Sequence, residues 1–164
     1  SWANPARGEI VTFYSPEDEK LLIKRVIGIP GDVVSMRNNR LLVNGGTATY
    51  EPVTPGELDG LGLMLTGKRA YVENLEKHTH IIMLQSDTPG IVTSFPPQHI
   101  PDGQYLMLGD NRDRSKDSRF IGLIERQRIT GRAHTVAFSV DYEDYYLPRV
   151  ARFLHPLQLD QPDG

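Results

Sequence analysis

Lys20-Leu21-Leu22-Ile23-Lys24-Arg25-Val26-Ile27-Gly28-Ile29, halted by Pro30-Gly31-Asp32, is the stretch from which the rest of the chain is read. It is a run of aliphatic and β-branched residues of strand length, and Pro-Gly punctuates its end. On a strand, alternate residues share a face. Leu22, Lys24, Val26 and Gly28 then lie on one side, and Leu21, Ile23, Arg25 and Ile27 on the other. Each face carries one cation among apolar neighbours. A lysine in such surroundings loses the hydration of its ammonium form, so its pKa falls and it can act as a general base. The same two cations also suit a sheet edge, where charge deters pairing with another chain.

Outward from this run the pattern stays extended. Glu9 to Tyr14, bounded by Arg7-Gly8 and Ser15-Pro16, predicts a strand joined to the first through a turn at Ser15-Pro16-Glu17-Asp18. Asp32 to Met36 and Arg40 to Val43 flank a tight Asn38-Asn39 turn, and Asn44-Gly45-Gly46 closes the pair. Residues 45–68, with Pro52, Pro55 and scattered glycines, read as a turn-rich surface insert. Ala70 to Leu75 and Thr79 to Leu84 form a second candidate pair around Glu76-Lys77-His78. Ser86 to Pro101 holds too many prolines for a central strand. Tyr105 to Leu108 is a short apolar strand, and Ile129 to Val140 alternates well enough for a long one. A single turn around Ile124 to Gln127 is the one helix candidate, and the tail from Asp141 is expected to fray. The fold class is mostly β.

With 164 residues, 24% charged and 38% hydrophobic, the chain has the size and proportions of one globular domain. Its 18 Lys and Arg against 21 Asp and Glu leave a net charge of −3, which argues against nucleic acid as a partner. The absence of cysteine excludes disulfides, thiolate zinc sites and a thiol nucleophile. No apolar run approaches the roughly 20 residues of a membrane-spanning helix. The chain opens at Ser1-Trp2-Ala3-Asn4-Pro5, with neither an initiator methionine nor a signal peptide, and so reads as part of something longer.

Gly109-Asp110-Asn111-Arg112-Asp113-Arg114-Ser115-Lys116-Asp117-Ser118-Arg119 follows a strand directly and is dense in charge. It is not a calcium loop. Counted from Asp110, Arg112 and Arg114 stand where oxygen ligands belong. What remains is either a salt-bridged surface loop or a loop whose charges hold Ser115 and Ser118 in fixed places. His78-x-His80 puts two imidazoles on one strand face without an evident third ligand, so no metal is assigned. His99, His134 and His155 are scattered, and no Gly-x-Ser-x-Gly elbow is present.

In order and wording, Arg7-Gly8-Glu9-Ile10-Val11-Thr12-Phe13, then Ile23 to Asp32, then Gly109 to Arg119 resemble three successive motif boxes of the type I signal peptidases. These are membrane-anchored Ser–Lys peptidases that remove signal peptides outside the cytoplasmic membrane. The resemblance implies an antiparallel β catalytic core, residues 1–44 and 101–140, an inserted β-rich subdomain, 45–100, and a C-terminal tail, 141–164. It implies Lys24 as general base and Ser115 as the hydroxyl that orients it. Gly109, Asp110, Asp117 and Arg119 are implied in support, and Leu21, Leu22 and Ile23 along the substrate, with Ile23 in a pocket wall. It implies no cofactor, signal peptides with Ala-x-Ala sites as substrates, and a catalytic domain on the extracytoplasmic side of the membrane.

Two departures from the family pattern stand out. Arg114 replaces a usual asparagine and is expected to point to solvent. The family's Ser-Met-x-Pro nucleophile segment, which precedes the Arg-Gly-Glu-Ile-Val box by tens of residues, does not occur, and Ser35-Met36 lies after the lysine. The nucleophile is therefore expected outside these residues, along with the membrane anchor, and the fragment alone is expected to be inactive. A related peptidase of a conjugation or pilus system, or a non-catalytic peptide-binding β domain, are the alternatives.

Overall fold

The computed structural model describes residues 3–60, 67–85, 90–133 and 159–160. The central run forms β2 (Leu21–Gly28), and β1 (Ile10–Tyr14) pairs with it antiparallel, Val11 opposite Lys24 and Phe13 opposite Leu22. On the other side of β2 lies β10 (Gln104–Leu108), and on the other side of β1 lies β12 (Ile129–Ala133). With β11 (Ile124–Glu125) and β13 (Leu159–Asp160) at the two edges, the sheet runs β11-β10-β2-β1-β12-β13.

A second sheet, β5-β4-β3-β9, comprises β3 (Val33–Arg37), β4 (Arg40–Val43), β5 (Gly46–Thr47) and β9 (Phe95–His99). It draws strands from both sides of position 44. A third, β6-β7-β8, comprises β6 (Thr49–Pro52), β7 (Arg69–Leu75) and β8 (His78–Leu84). The chain is mostly β, and its named sheet pairings are antiparallel.

Because β2 is central, it is buried on both faces. Leu22 and Val26 pack with Val11, Phe13, Tyr105, Met107, Ile124 and Ile129. Ile27, on the opposite face, joins Leu106 and Leu108 against Val34, Met36 and Leu41 of the second sheet. Gly28 sits in a tight place between the two sheets: a Cβ there would lie 3.0 Å from Val34 Cγ2 of the second sheet and 3.1 Å from Leu106 Cβ of its own. The β3–β4 turn needs two left-handed residues, and Asn38 and Asn39 supply them at φ +50° and +64°. Pro96 and Pro97 fall in β9, which sits at a sheet edge where missing N–H donors cost least.

Four expectations need correction. The helical turn expected around Ile124 to Gln127 is instead strand β11, opposite Gln104 and Tyr105, followed by a 3-10 turn at Arg126–Arg128. Ile124 is fully buried, and the core it completes outweighs a lone helical turn that would leave it exposed. The turn-rich stretch 45–68 contains β5, β6 and a helix, α1 (Pro55–Gly60). Thr54 and Glu57 bracket that helix in a reciprocal cap, Glu57 N–H to Thr54 Oγ1 and Thr54 N–H to Glu57 Oε2, with proline at its first position. A second short helix, α2 (Ser118–Ile121), forms in the charged loop, where the sequence pattern predicts none. In the tail expected to fray, Leu159–Asp160 pairs with Arg132 and Ala133. The rest of the long strand expected to Val140 lies outside the described residues.

Arg7 fastens the first two sheets. Its guanidinium donates to the Ile27 carbonyl and to both oxygens of Asp32, which also accepts from the Ile29 amide and from Asn44 Nδ2. Burial pushes the Asp32 carboxyl up, but the hydrogen bonds from Arg7, the Ile29 amide and Asn44 outweigh it and hold the group below the usual range. A depressed folded pKa means that this stabilisation is complete above the unfolded carboxyl range near about 4 and is lost as pH falls through the folded value. Asp32→Asn should cost roughly 3 kcal/mol at neutral pH, the scale for breaking a buried ion pair, and should flatten the acid limb of stability. Denaturant unfolding at pH 7 and at pH 3 checks both.

Candidate active site

β10 pairs only with the Arg25–Gly28 half of β2, since its register ends at Leu108 opposite Arg25. The chain then turns away at Gly109, and no described strand pairs with Leu21–Lys24 on that side. Leu22 and Ile23 are both 2% exposed, so this edge offers backbone N–H and C=O groups more than side chains. Lys24 sits at the inner end of the edge, buried on the face that carries Leu22 and Val26.

The loop 109–119 folds back over the place where β10 leaves β2. A Cβ on Gly109 would collide with both Cβ and Oγ of Ser115 and would lie 3.7 Å from Lys24 Cδ. Glycine is what lets Ser115 and Lys24 converge on one turn. Asp117, fully buried, holds that turn from below: its Oδ2 accepts the Gly109 amide at 2.9 Å. The same carboxylate takes Arg119 Nε at 2.9 Å and Nη2 at 2.8 Å, and caps α2 through the Arg119 amide. Burial pushes the Asp117 carboxyl up, but the Arg119 hydrogen bonds and charge, the Gly109 amide and Lys24 outweigh it, so it stays below the usual range. Asp110 forms a bidentate pair with Arg25, at 2.9 and 2.7 Å, and Arg25 also donates to the Gly8 carbonyl. The two cations of β2 thus have different surroundings, Lys24 beside Ser115 and Arg25 locked to Asp110.

The residues singled out from sequence in the third box converge: Gly109, Asp110, Ser115, Asp117 and Arg119 stand around Lys24 and Arg25. Arg114, expected in solvent, is half-buried and donates to Gln85 Oε1 at 3.3 Å. Ser35 lies away from this loop, on β3 opposite Leu42. His78 and His80 do not act together: His78 packs under Gly8, while His80 Nε2 donates to Glu73 at 2.8 Å.

A model of the signal peptidase family, peptidase S26, matches residues 2–138. The chain belongs to that family. Signal peptidase I of Bacillus licheniformis is 33% identical over 135 residues, covering 80% of this chain and 59% of that protein. Signal peptidase I of Pseudomonas aeruginosa is 34% identical over 152 residues, covering 83% and 50%. A solved signal peptidase I from Enterococcus faecalis V583 aligns at 28% identity and a TM-score of 0.45, covering 79% of this chain and 96% of that one. The chain spans about half to three-fifths of the length of these two curated relatives.

Within this signal peptidase family chain, one part of the site escaped the sequence reading. Glu73 of β7 is fully buried and is paired bidentately with Arg112, at 2.7 and 2.9 Å. The signal for it was the hairpin register. A turn at Glu76-Lys77 sets Glu73 opposite His80, so an acid and an imidazole meet on one face.

Gly109→Ala should displace Ser115, cost about 1–3 kcal/mol as overpacking does, and shift the NMR signals of Ser115 and Lys24 together. Thermal unfolding and side-chain chemical shifts test this. An alanine variant with parental stability and unmoved signals would contradict the packing described.

Proposed function

We propose that this chain carries the general-base half of a signal peptidase I site, which cuts exported preproteins by a Ser–Lys mechanism. The observation that carries the reading is the Gly109 turn, on which Ser115 and the buried Lys24 side chain converge at the end of a strand edge that no described strand covers. In this reading Lys24 is the base and Ser115 orients its amine. Asp117, Arg119, Asp110 and Gly109 hold the loop. A substrate strand pairs with the backbone of Leu21, Leu22 and Ile23 by β-addition. Residues 1–44 and 101–140 would act as the catalytic unit, 45–100 as its insert and 141–164 as a tail.

The nucleophile is a serine from a Ser-Met-x-Pro segment outside these 164 residues. The neutral Lys24 amine takes the proton from that hydroxyl as its oxygen attacks the scissile carbonyl. The resulting ammonium gives the proton to the departing amine, leaving an acyl-enzyme that water then hydrolyses, with Lys24 again as base. Pockets limited to small side chains fit Ala-x-Ala sites. The place of work is the extracytoplasmic face of the membrane. Among the described residues, no helix is long and apolar enough to cross a membrane.

The test compares cleavage of a synthetic signal peptide with an Ala-x-Ala site by this chain and by the full-length gene product. Cleavage after the second alanine by the full-length protein alone is the expected result. In that protein Lys24→Ala should lower the rate by about 10²–10⁴-fold, the usual scale for a general base. Near-parental cleavage by the variant would falsify the assignment of Lys24. No cleavage by either parent, with retained peptide binding, would favour a non-catalytic peptide-binding domain.

A further inference from the structure

Glu73 touches neither Lys24 nor Ser115 in the contacts described, and it comes from the stretch in which no motif could be read. It nevertheless lies one side chain away from the turn on which both converge. The Gly109 peptide groups are held from two directions. The N–H is taken by Asp117, from the same loop, and the C=O accepts Arg112 Nε at 3.0 Å. Arg112 is 1% exposed, and its two terminal nitrogens are both committed to Glu73. A guanidinium is a rigid planar fork. Once Nη1 and Nη2 are fixed on one carboxylate, the direction in which Nε points is fixed as well.

The carboxylate is itself constrained. His80 Nε2 donates to Oε1, and the Tyr50 hydroxyl, which accepts the Leu41 amide, lies close enough for the two acidic groups to perturb each other. Burial pushes Glu73 up, but Arg112 and His80 outweigh it and keep it ionised far below the usual range. Arg112 is held charged in return: burial lowers its pKa, and Glu73 more than restores it.

A buried ion pair of this kind is rarely more stable than an apolar filling of equal volume. What it supplies is direction. We propose that Glu73 is a positioning residue for the site. Acting through Arg112, it sets where the Gly109 carbonyl stands, and with it how Ser115 and Lys24 converge on that turn. The β6-β7-β8 sheet then serves as the rigid mount of the catalytic loop, a role reinforced by the Met83 amide bond to the Asp110 carbonyl.

This inference rests on the Ser–Lys reading, so its test carries one readout that does not need cleavage. Glu73→Asp withdraws the carboxylate by one methylene. Arg112→Lys keeps the charge pair but loses the fork, and serves if Glu73→Asp does not fold. In the full-length protein, each folded variant should lower kcat on the order of ten- to a hundred-fold, the scale of a small misplacement, with KM within about twofold. In either protein, ¹³C NMR titration of Lys24 Cε should show a displaced midpoint. Asp32→Asn, which breaks a buried ion pair away from Gly109, should lose stability with kcat and the Lys24 titration kept. Folded variants with parental kcat and an unmoved titration would reduce Glu73 to a structural residue. If full-length parent cuts no peptide, the titration alone decides, and a moved midpoint upholds the positioning role while the peptidase reading fails.

Discussion

A glycine amide bonded to a buried carboxylate is the constraint on which the site depends. Asp117 has no exposed surface, and its negative charge is tolerable only because Arg119 embraces both oxygens and Gly109 donates to one of them. Through that bond the chain is forced to turn as soon as β10 has finished pairing with Arg25. Had β10 continued, it would have covered the edge of β2 down to Leu21. One buried acid therefore shapes the loop and leaves the adjoining edge without a described strand partner.

Charge in this protein is placed inside at the joints between sheets. Arg7–Asp32 joins the first two sheets, Arg25–Asp110 ties β2 to the loop, and Arg112–Glu73 ties the loop to the third sheet. Each pair is largely desolvated, so each has a strong preference for one geometry and a high cost for losing a partner. The surface pairs, such as Lys116 with Glu17 and Arg128 with Glu19, are partly exposed and contribute little by comparison.

Much of this was legible in the sequence where local pattern and tertiary need coincide. The alternation in Leu21–Gly28 placed Lys24 correctly among apolar neighbours, because a strand's periodicity survives any packing. Asn38-Asn39 announced its turn through the one conformation that asparagine tolerates better than most residues. The loop of the third box packs on β2, Asp110 paired with Arg25 and the Gly109 turn beside Lys24. Ile124 misled because the four residues to Gln127 carry no period, and only the core above Tyr105 decides their state. The helix at Pro55–Gly60 was hidden by its own glycines, although Thr54-Pro55-Gly56-Glu57 spelled its cap. Glu73 was invisible as a site residue because its importance lies in a partner 39 positions away.

The half-covered strand has a consequence for breadth of recognition. Backbone groups are the same in every polypeptide, so an edge that binds through them is indifferent to most of what it binds. The four residues Leu21–Lys24, which no described strand covers on that side, match roughly 13 Å of an extended chain at the usual rise per residue. A surface of this design can serve clients that share no sequence. Under the proposed function, selection among clients would then fall to side-chain contacts beside the scissile bond, not to this edge.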